Sequence, residues 1–276
     1  MSTPSPRVAV LGGHGKTGRA VADSLRARDA EVVSIGRAEW PSLKAALDGC
    51  SAVYVIAPNF HLDESGYVAE AVDAAGGADV SRLVYHSVAS PYLPAMPHHL
   101  GKAEGEAVVR RSGRDWTILQ PCAYAQNLLP GLLADEPAIR VPYDVDLPHA
   151  LVDLADVAEV AATMLLEDGH VGATYELGGP LVTVREAAES AAEVMGRTVA
   201  VERVDPDEWE REAGAALPEH KRVGLRAMFD YYDDHGFLAA NRVAGLLLGR
   251  PPRSMADVIA RAWAQAGGQS TSPRDS

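Results

Sequence analysis

The chain has 276 residues, 47% of them hydrophobic, and a formal net charge of −13. A chain of this length builds one large α/β domain, alone or with a small appendage. The negative charge argues against nucleic acid and against an anionic membrane as the main partner, because both select for clustered lysine and arginine. A small-molecule substrate in a locally basic pocket remains compatible with it.

The two cysteines, Cys50 and Cys122, lie far apart in sequence, which favours a reducing compartment over a disulfide framework. A strand-like run that begins at Arg7 leaves no room for an apolar export segment. The aliphatic run at 243–249 is too short to span a bilayer. We therefore expect a cytoplasmic protein that acts on a small molecule, without a nucleic-acid or membrane partner; a homodimer is compatible with the sequence.

Short apolar runs alternate with helical patterns along the first half of the chain. This alternation is typical of a parallel sheet with helices on both faces, where right-handed crossovers restrict the topology. The sequence therefore predicts an α/β fold with a Rossmann-type, doubly wound parallel sheet. Its predicted strands are 7–11, 31–35, 51–58, 82–88 and 116–121, and its predicted helices are 16–29, 42–50, 64–75 and 101–113.

The pattern loosens after Asn127. We expect a Rossmann domain over 7–150 and a smaller, mixed and mostly helical C-terminal substrate lobe over 151–265, packed on the same core. Residues 1–6 and 266–276 are predicted to be disordered. The predicted later elements are a helix within 151–167 capped by Asp153 or Asp156, a strand at 173–179, a helix at 183–197 capped by Thr183 with Glu186 three residues on, and helical stretches over 206–264.

The segment LGGHGKTG at 11–18 contains two overlapping glycine patterns. Dinucleotide-binding turns need glycine for a tight bend, for close approach of the backbone to pyrophosphate and for helix–strand contact. The following helix offers free N–H groups to the phosphates. The motif follows an apolar strand and opens a helix at Lys16 and Thr17, which favours a coenzyme site over an ordinary glycine-rich turn. The pattern GxxGxxG uses Gly12, Gly15 and Gly18, and the pattern GxGxxG uses Gly13, Gly15 and Gly18.

The end of the second strand bears on the choice between NAD and NADP. NAD-preferring folds usually place an acidic residue there, on the adenosine ribose. Here Arg37 follows the strand, and a planar guanidinium suits a 2′-phosphate, with Lys16 as a second cation. The sequence therefore predicts NADP(H) as the preferred coenzyme. NAD(H) stays open, because Glu39 is close enough in sequence to take the ribose hydroxyls.

Together these segments resemble the NmrA-like, atypical branch of the short-chain dehydrogenase/reductase superfamily. The resemblance covers most of residues 7–210. It implies a coenzyme lying across the carboxyl edge of the sheet. The matching blocks are VLGGHGKTG at 10–18, GKAEGEAVVRRSGRDWTILQPCAYAQN at 101–127, LVDLADVAEVAATML at 151–165 and ATYELGGPLVTVREAAESAAEVMGR at 173–197.

The resemblance also assigns roles to individual residues. Ala57 and Pro58 would lie beside the adenosine and pyrophosphate, and Ser87 would lie near the nicotinamide. Lys102 matches the lysine that contacts the nicotinamide ribose. Residues 121–123, which include Pro121 and Ala123, would line the nicotinamide face.

Two departures from the family pattern stand out. The superfamily's Tyr-x-x-x-Lys is replaced by HHLGK, so that His98 takes the place of the tyrosine before Lys102. The family also carries about twenty more residues, with an adenine-binding aspartate, between the second strand and the helix that begins at Ser42. Here that segment is GRAEWP, which leaves Glu39 or Trp40 to flank the adenine.

Three functions fit this pattern. The first is an NADPH-dependent reductase that passes hydride to a quinone, an enone or a carbonyl compound, with Lys102 or His98 as proton donor and Ser87 in the catalytic set. The second is an NADP(H)-binding redox sensor without turnover, which would act on a protein partner. The third is an NAD(P)-dependent epimerase or dehydratase, disfavoured by the missing tyrosine. The reductase is the favoured reading.

Several further residues have two readings. Tyr124, Gln126 and Asn127 follow the strand that ends at Pro121, and either face substrate or cap the next helix. Cys122 is expected to be a small buried thiol more than a nicotinamide contact. The aromatic residues Phe229, Tyr231, Tyr232 and Phe237 are expected to belong to the core. Histidines such as His61, His86 and His149 show no metal-binding spacing, and no metal is predicted.

Overall fold

The structure is a computed structural model and describes residues 5–267. Residues 1–4 and 268–276, which fall in the predicted disordered lead-in and tail, lie outside the described residues. The strands are β1 (Arg7–Leu11), β2 (Glu31–Ile35), β3 (Ala52–Val55), β4 (Arg82–His86), β5 (Asp115–Pro121), β6 (Ala123–Tyr124), β7 (Ala138–Val141), β8 (His149–Val152), β9 (Thr174–Leu177), β10 (Leu181–Val182) and β11 (Ala200–Arg203). The helices are α1 (Lys16–Arg26), α2 (Leu43–Ala46), α3 (Glu64–Gly77), α4 (Pro97–Arg110), α5 (Leu129–Leu132), α6 (Leu154–Leu166), α7 (Val184–Met195), α8 (Pro206–Arg211), α9 (Glu219–His235), α10 (Arg242–Leu248) and α11 (Met255–Gln265).

The described chain forms two compact units. The first runs to Pro121 and includes Leu154–Leu177, and the second contains Cys122–Asp153 and the chain from Gly178 onward. This division differs from the predicted boundary at residue 150. The reason is packing: α6 lies against α1 and against β3, β4 and β5, while β9 pairs with β5, so the chain returns to the first unit after Asp153.

The first unit is built on a six-stranded parallel sheet in the order β2-β1-β3-β4-β5-β9. Its central strands are almost wholly buried, as the apolar runs predict for a sheet covered on both faces. Helices α3 and α4 pack together on one face of the sheet, and helices α1 and α6 pack together on the other. Successive side chains along each strand point to these two faces in turn. The predicted Rossmann-type α/β fold is confirmed.

The order of the strands fixes where a ligand can bind. The chain leaves β1 for β2 on one side and continues with β3 on the other, so the direction of winding reverses between β1 and β3. Ligands of open α/β sheets bind beyond the carboxyl ends of the strands at such a switch point. Strand β2 is the edge of the sheet because only a short segment separates it from α2, in agreement with the shortened sequence there.

The second unit contains two small sheets, β10-β8-β6 and β11-β7, and helices that enclose a separate apolar core. Helices α7 and α11 pack together in this core. The predicted cap of α7 is confirmed, because Thr183 and Glu186 form a reciprocal capping box. The five short strands β6, β7, β8, β10 and β11 were not predicted, since two to four residues are too few for alternation to show.

One boundary matters for the site. Helix α4 begins at Pro97 rather than at the predicted residue 101. Proline is favoured in the first turn of a helix, where its missing N–H costs nothing. His98 and His99 therefore belong to the first helical turn and not to a loop.

Among residues 5–267, no helix combines the length and apolar character needed to cross a bilayer.

Candidate functional site

The glycine loop between β1 and α1 is shaped partly by the needs of the fold. Gly12 has a φ of +74°, and a Cβ there would lie 2.6 Å from Ile56 Cγ2. A Cβ on Gly18 would lie 2.2 Å from the Gly12 carbonyl oxygen. At these two positions a side chain would clash with backbone or core, so glycine is required whether or not a ligand binds.

Gly15 is different. Its φ of −77° is open to any residue, and a Cβ there would meet only the Gly12 carbonyl oxygen, at 3.2 Å, within 4 Å. The φ value alone therefore does not demand glycine at this position, although the Gly12 carbonyl would have to move by a few tenths of an ångström to accept a methyl group.

That first turn presents free backbone donors. No hydrogen bond is made by the amides of Lys16, Thr17 and Gly18 within the described chain, and the turn has neither a side-chain cap nor an acidic residue. Unpaired N–H groups at the start of an eleven-residue helix attract anions. Bare donors beside an empty glycine face fit the pyrophosphate of a dinucleotide. Gly12 and Gly15 lie in the turn after β1, and Lys16, Thr17 and Gly18 open α1, as the sequence indicates; their contact with a coenzyme stays a prediction.

The end of β2 carries Arg37, which is exposed and makes no hydrogen bond or ion pair with any residue of the described part of the chain. Glu39 is already engaged, because its Oε2 accepts a hydrogen bond from the Gly36 amide at 2.7 Å and lies 3.9 Å from His14 Nε2. The Gly36 hydrogen bond lowers the pKa of Glu39. Burial lowers the pKa of Lys16. Arg37 is thus an unpaired cation at the carboxyl end of β2.

Trp40, proposed to flank the adenine, is held in the fold. Its ring stacks on Tyr67 with centroids 4.2 Å apart, and its indole N–H donates to Glu70 at 2.7 Å. One face of the indole is therefore covered by protein. Beyond β3, Ala57 is buried and Pro58 is exposed.

Ser87, expected near the nicotinamide, is buried and donates its hydroxyl hydrogen to Glu106 Oε1 at 2.6 Å. Gln120 donates to the same oxygen at 2.6 Å, and Arg110 lies 3.3 Å from Oε2. This network ties β4, α4 and β5 together. Because the Ser87 proton is committed to a carboxylate, Ser87 is a poor proton donor to a substrate.

Lys102 belongs to α4, and its ammonium reaches the carboxyl end of β4; the resemblance assigns this residue to the active-site lysine. Its ammonium donates to the His86 carbonyl oxygen at 3.1 Å and lies 2.6 Å from Glu64 Oε1. Tyr85 donates its hydroxyl to the same Glu64 oxygen at 2.7 Å. Burial, with Glu64 close by, raises the pKa of Tyr85 well above its usual range, so this phenol stays protonated. The ammonium is thus fixed at the sheet edge by a buried carboxylate.

His98, in the place of the family tyrosine, has a buried Nδ1 without a hydrogen-bond partner among residues 5–267. Its ring lies 4.7 Å from Phe60, a residue with a φ of +58°, and 4.5 Å from His99. Burial, with smaller effects of His99 and Lys102, lowers the pKa of His98 to about 3. Near neutral pH His98 is therefore an uncharged imidazole and not a cationic acid.

His99 is buried, and burial lowers its pKa to about 4. Its Nδ1 lies 3.2 Å from the Ser90 carbonyl oxygen.

Sequence reasoning missed Glu64, Tyr85 and Phe60 as parts of this site. Glu64 follows Asp63, the N-cap of α3, and so carried only the signal of an ordinary helix start.

The remaining predicted residues belong to the second unit. Ala123 pairs with Leu151, and Tyr124 with Val152, where β6 meets β8. Gln126 donates to the buried Asp153 at 2.6 Å, which is a structural contact, while Asn127 is exposed. Cys122 is a buried free thiol, as expected. Pro121, which ends β5 in the first unit, accepts a hydrogen bond from the Ala89 amide at 2.9 Å.

Metal-binding side chains do not converge anywhere in the described chain: within 5–267 no three His, Cys, Asp or Glu residues lie close enough to hold an ion. Tyr54 hydrogen-bonds the buried His86, and burial lowers the pKa of His86 to about 3. The polar chemistry of the first unit is therefore concentrated around Lys102 and the glycine loop.

The parallel sheet, the glycine loop and the free helix start define a Rossmann-type dinucleotide-binding protein. The NmrA-like family model matches residues 14–246. The chain belongs to the NmrA-like family, which confirms the resemblance found in the sequence.

Several relatives with described activities are similar to this chain. It is 31% identical over 188 residues to the (4-alkanoyl-5-oxo-2,5-dihydrofuran-3-yl)methyl phosphate reductase of Streptomyces griseus, a match that covers 67% of this chain and 66%, slightly under two thirds, of that protein. It is 28% identical over 258 residues to the NAD(P)H azoreductase of Xenophilus azovorans, covering 90% of this chain and 88% of that protein. The fold is similar to that of the NADPH-dependent quinone oxidoreductase of Escherichia coli in complex with NADPH, with a TM-score of 0.78, 20% identity and coverage of 93% and 99%.

Proposed function

We propose that the protein is an NADPH-dependent oxidoreductase that reduces a quinone, an enone or a carbonyl group of a small molecule. The observation that carries this proposal is the helix start behind Gly15, where three backbone amides make no hydrogen bond within the described chain and follow a glycine with an ordinary φ of −77°. The names of the relatives, among them an NAD(P)H azoreductase and a (4-alkanoyl-5-oxo-2,5-dihydrofuran-3-yl)methyl phosphate reductase, support the same class. When bound, the nicotinamide supplies the hydride.

The chain's own residues divide the remaining work. The amides of Lys16, Thr17 and Gly18 bind the pyrophosphate, and Arg37 binds the 2′-phosphate. Ala57 and Pro58 border the coenzyme beyond β3, and Pro121 and Ala123 border the nicotinamide. These contacts orient the coenzyme, and the preference for NADP(H) over NAD(H) rests on Arg37, whose guanidinium is unpaired in the described chain.

Protonation of the reduced product is assigned to Lys102. The Ser87 hydroxyl is engaged as a hydrogen-bond donor to Glu106, and His98 is uncharged near neutral pH. Lys102 is a cation held at the end of β4, where a positive charge stabilises a developing oxyanion. His98 then acts as a neutral hydrogen-bonding group, and a hydroquinone product can also take protons from water.

The test is NADPH oxidation measured with a panel of quinones, enones and aldehydes. Lys102→Met alone would leave Glu64 as a buried unpaired carboxylate, so the decisive variant is Glu64→Gln/Lys102→Met, which removes both charges. We expect this double variant to bind NADPH and to lose about a hundredfold in turnover. Arg111→Ala, an exposed position after α4, is the control and should keep full activity.

Tight NADPH binding with no turnover on any acceptor would contradict the reductase and favour the redox sensor. Substrate conversion without net consumption of NADPH would favour the epimerase or dehydratase. Loss of turnover in Arg111→Ala equal to that in the double variant would remove Lys102 from the mechanism.

A further inference from the structure

His14 lies at the junction between the glycine loop and the end of β2. The amides of Gly12 and Gly13 donate to the Ile35 carbonyl oxygen at 2.9 and 3.1 Å, so the loop is fastened to the last residue of β2. His14 follows in the loop, and its ring lies over Gly36, because a Cβ on Gly36 would be only 2.6 Å from His14 Cδ2. The absence of a side chain at Gly36 therefore leaves the space that the imidazole occupies.

The Glu39 carboxylate lies against the same glycine. Its Oε2 accepts a hydrogen bond from the Gly36 amide at 2.7 Å and lies 3.9 Å from His14 Nε2. Both side chains are open to solvent, with 64% of His14 and 42% of Glu39 exposed. An imidazole and a carboxylate thus lie side by side at the surface, where a ligand can reach both.

This junction is where a dinucleotide-binding fold recognises the 2′ position of the adenosine ribose. An acid at the end of the second strand accepts hydrogen bonds from the ribose hydroxyls of NAD, whereas an arginine there accommodates the 2′-phosphate of NADP. This chain has both, because the exposed Arg37 and the Glu39 carboxylate lie two residues apart after β2. A carboxylate repels a phosphate, so a group that offsets its charge decides which coenzyme is favoured.

His14 is placed to offset that charge. An exposed imidazole changes its charge within the range from about pH 5 to 8. Glu39 stays ionised in this range, because the hydrogen bond from Gly36 lowers the pKa of its carboxyl group. Lys16, which begins α1, and Arg37 carry positive charges near neutral pH. Of these four ionisable residues, His14 is therefore the one whose charge changes near neutral pH.

We propose that His14 is a coenzyme-selecting residue: protonated His14 binds the 2′-phosphate of NADP(H) together with Arg37, and neutral His14 leaves Glu39 to accept the ribose hydroxyls of NAD(H). The inference rests on the proposed function, because it concerns the same coenzyme site. It adds that this site accepts both coenzymes, and that a lower pH favours the phosphorylated one.

The experiment is calorimetric titration of the full chain with NADP⁺ and with NAD⁺, at about pH 6 and at about pH 8. The 2′-phosphate also gains a proton over this range, so each variant is compared with the parent protein at the same pH. His14→Gln keeps a polar side chain but cannot become charged. It should weaken NADP⁺ binding about tenfold at the lower pH and less than about twofold at the higher pH, with NAD⁺ binding unchanged at both.

Glu39→Gln tests the other half of the pair. Glutamine still accepts the hydrogen bond from the Gly36 amide but carries no charge. At the higher pH this variant should bind NADP⁺ about threefold more tightly and NAD⁺ about threefold less tightly, because the repulsion of the phosphate and the acceptor for the ribose hydroxyls are both reduced. The matched control is His220→Gln, an exposed position on α9, which should bind both coenzymes like the parent protein.

The outcomes separate this inference from the proposed function. Saturable NADP⁺ binding that His14→Gln leaves unchanged at both pH values would overturn the role of His14 and leave the reductase standing. Equal losses for NADP⁺ and NAD⁺, or a loss for NADP⁺ that is the same at both pH values, would also overturn it, because His14 would then act only on the shape of the loop. No binding of either coenzyme to the parent protein would overturn both proposals.

Discussion

Glu64 and Lys102 form a buried ion pair, with Oε1 and Nζ 2.6 Å apart and side chains only 3% and 16% exposed. The pair joins the first residue of α3 to the middle of α4, and the hydroxyl of Tyr85 donates to the same carboxylate oxygen. The position of the proposed catalytic lysine is therefore set by an acid that no family motif predicts.

Breaking this pair should destabilise the fold. Glu64→Gln and Lys102→Met each leave one buried group without its partner, and we expect a loss of about 3–5 kcal/mol in the free energy of unfolding for each. The double variant should lose much less than the sum, because no uncompensated charge remains. Urea unfolding measures all three variants. The exposed pair Asp23–Arg26 is the control, and Asp23→Ala should cost less than about 1 kcal/mol. Additive losses in the double variant would contradict the pairing.

Arg37 should determine the preference for NADPH. Arg37→Ala should weaken NADPH binding about tenfold or more, because one charge-assisted contact to the 2′-phosphate is lost, and should leave NADH binding nearly unchanged. Titration with both coenzymes measures the ratio. Arg111→Ala provides a matched loss of charge elsewhere in the first unit. An equal loss for NADPH and NADH would place Arg37 away from the 2′-phosphate.

The buried histidines should make the protein sensitive to acid. The pKa of His99 is about 4 in the folded protein, against about 6.5 when unfolded. The unfolded chain therefore binds more protons below about pH 6.5, so the stabilisation present above that pH is lost as pH falls toward 4, by up to about 1.4 kcal/mol per pH unit for each such histidine.

Urea unfolding at a series of pH values tests this directly. His99→Gln should flatten the dependence between about pH 6.5 and pH 5, whereas the exposed His220→Gln should not change it. A slope that is the same in His99→Gln and in the parent protein would show that His99 is charged in the folded state.

His98 should leave no signature in the pH dependence of the reaction. Burial holds its pKa at about 3, so it stays neutral over the range from about pH 5.5 to 8. Profiles of kcat/KM for the parent and for His98→Gln should have the same shape, although their heights differ. An inflection near pH 6.5 that disappears in His98→Gln would identify His98 as a titrating acid.

The fold of the first unit was predictable because its signals are local and repeated. The strand runs at 7–11 and 31–35 and the glycine loop appear in the structure with their predicted bounds, since buried parallel strands need continuous apolar residues. The return of Leu154–Leu177 to this unit was not predictable, because both that segment and the one before it consist of ordinary amphipathic elements.

The candidate site was predictable only where a motif fixes the backbone. The loop at Gly15 and the lysine at 102 follow from spacing, but the partners of Ser87, Lys102 and His98 come from residues far away in sequence. Glu106 engages Ser87, and Glu64 engages Lys102, through packing of α3 and α4 against β4. Contacts between side chains that are distant in sequence leave no periodic pattern in the sequence, so they could not be predicted from it.

The glycine at position 15 gives the sharpest test. Calorimetric titration of the full chain with NADPH should show saturable binding, and Gly15→Ala should weaken it at least about tenfold while the protein still folds, because its φ of −77° suits alanine and the Gly12 carbonyl has to move by only a few tenths of an ångström. Gly245→Ala, in α10, should bind like the parent protein. No heat with NADPH, or unchanged affinity in Gly15→Ala, would contradict a pyrophosphate held at the start of α1.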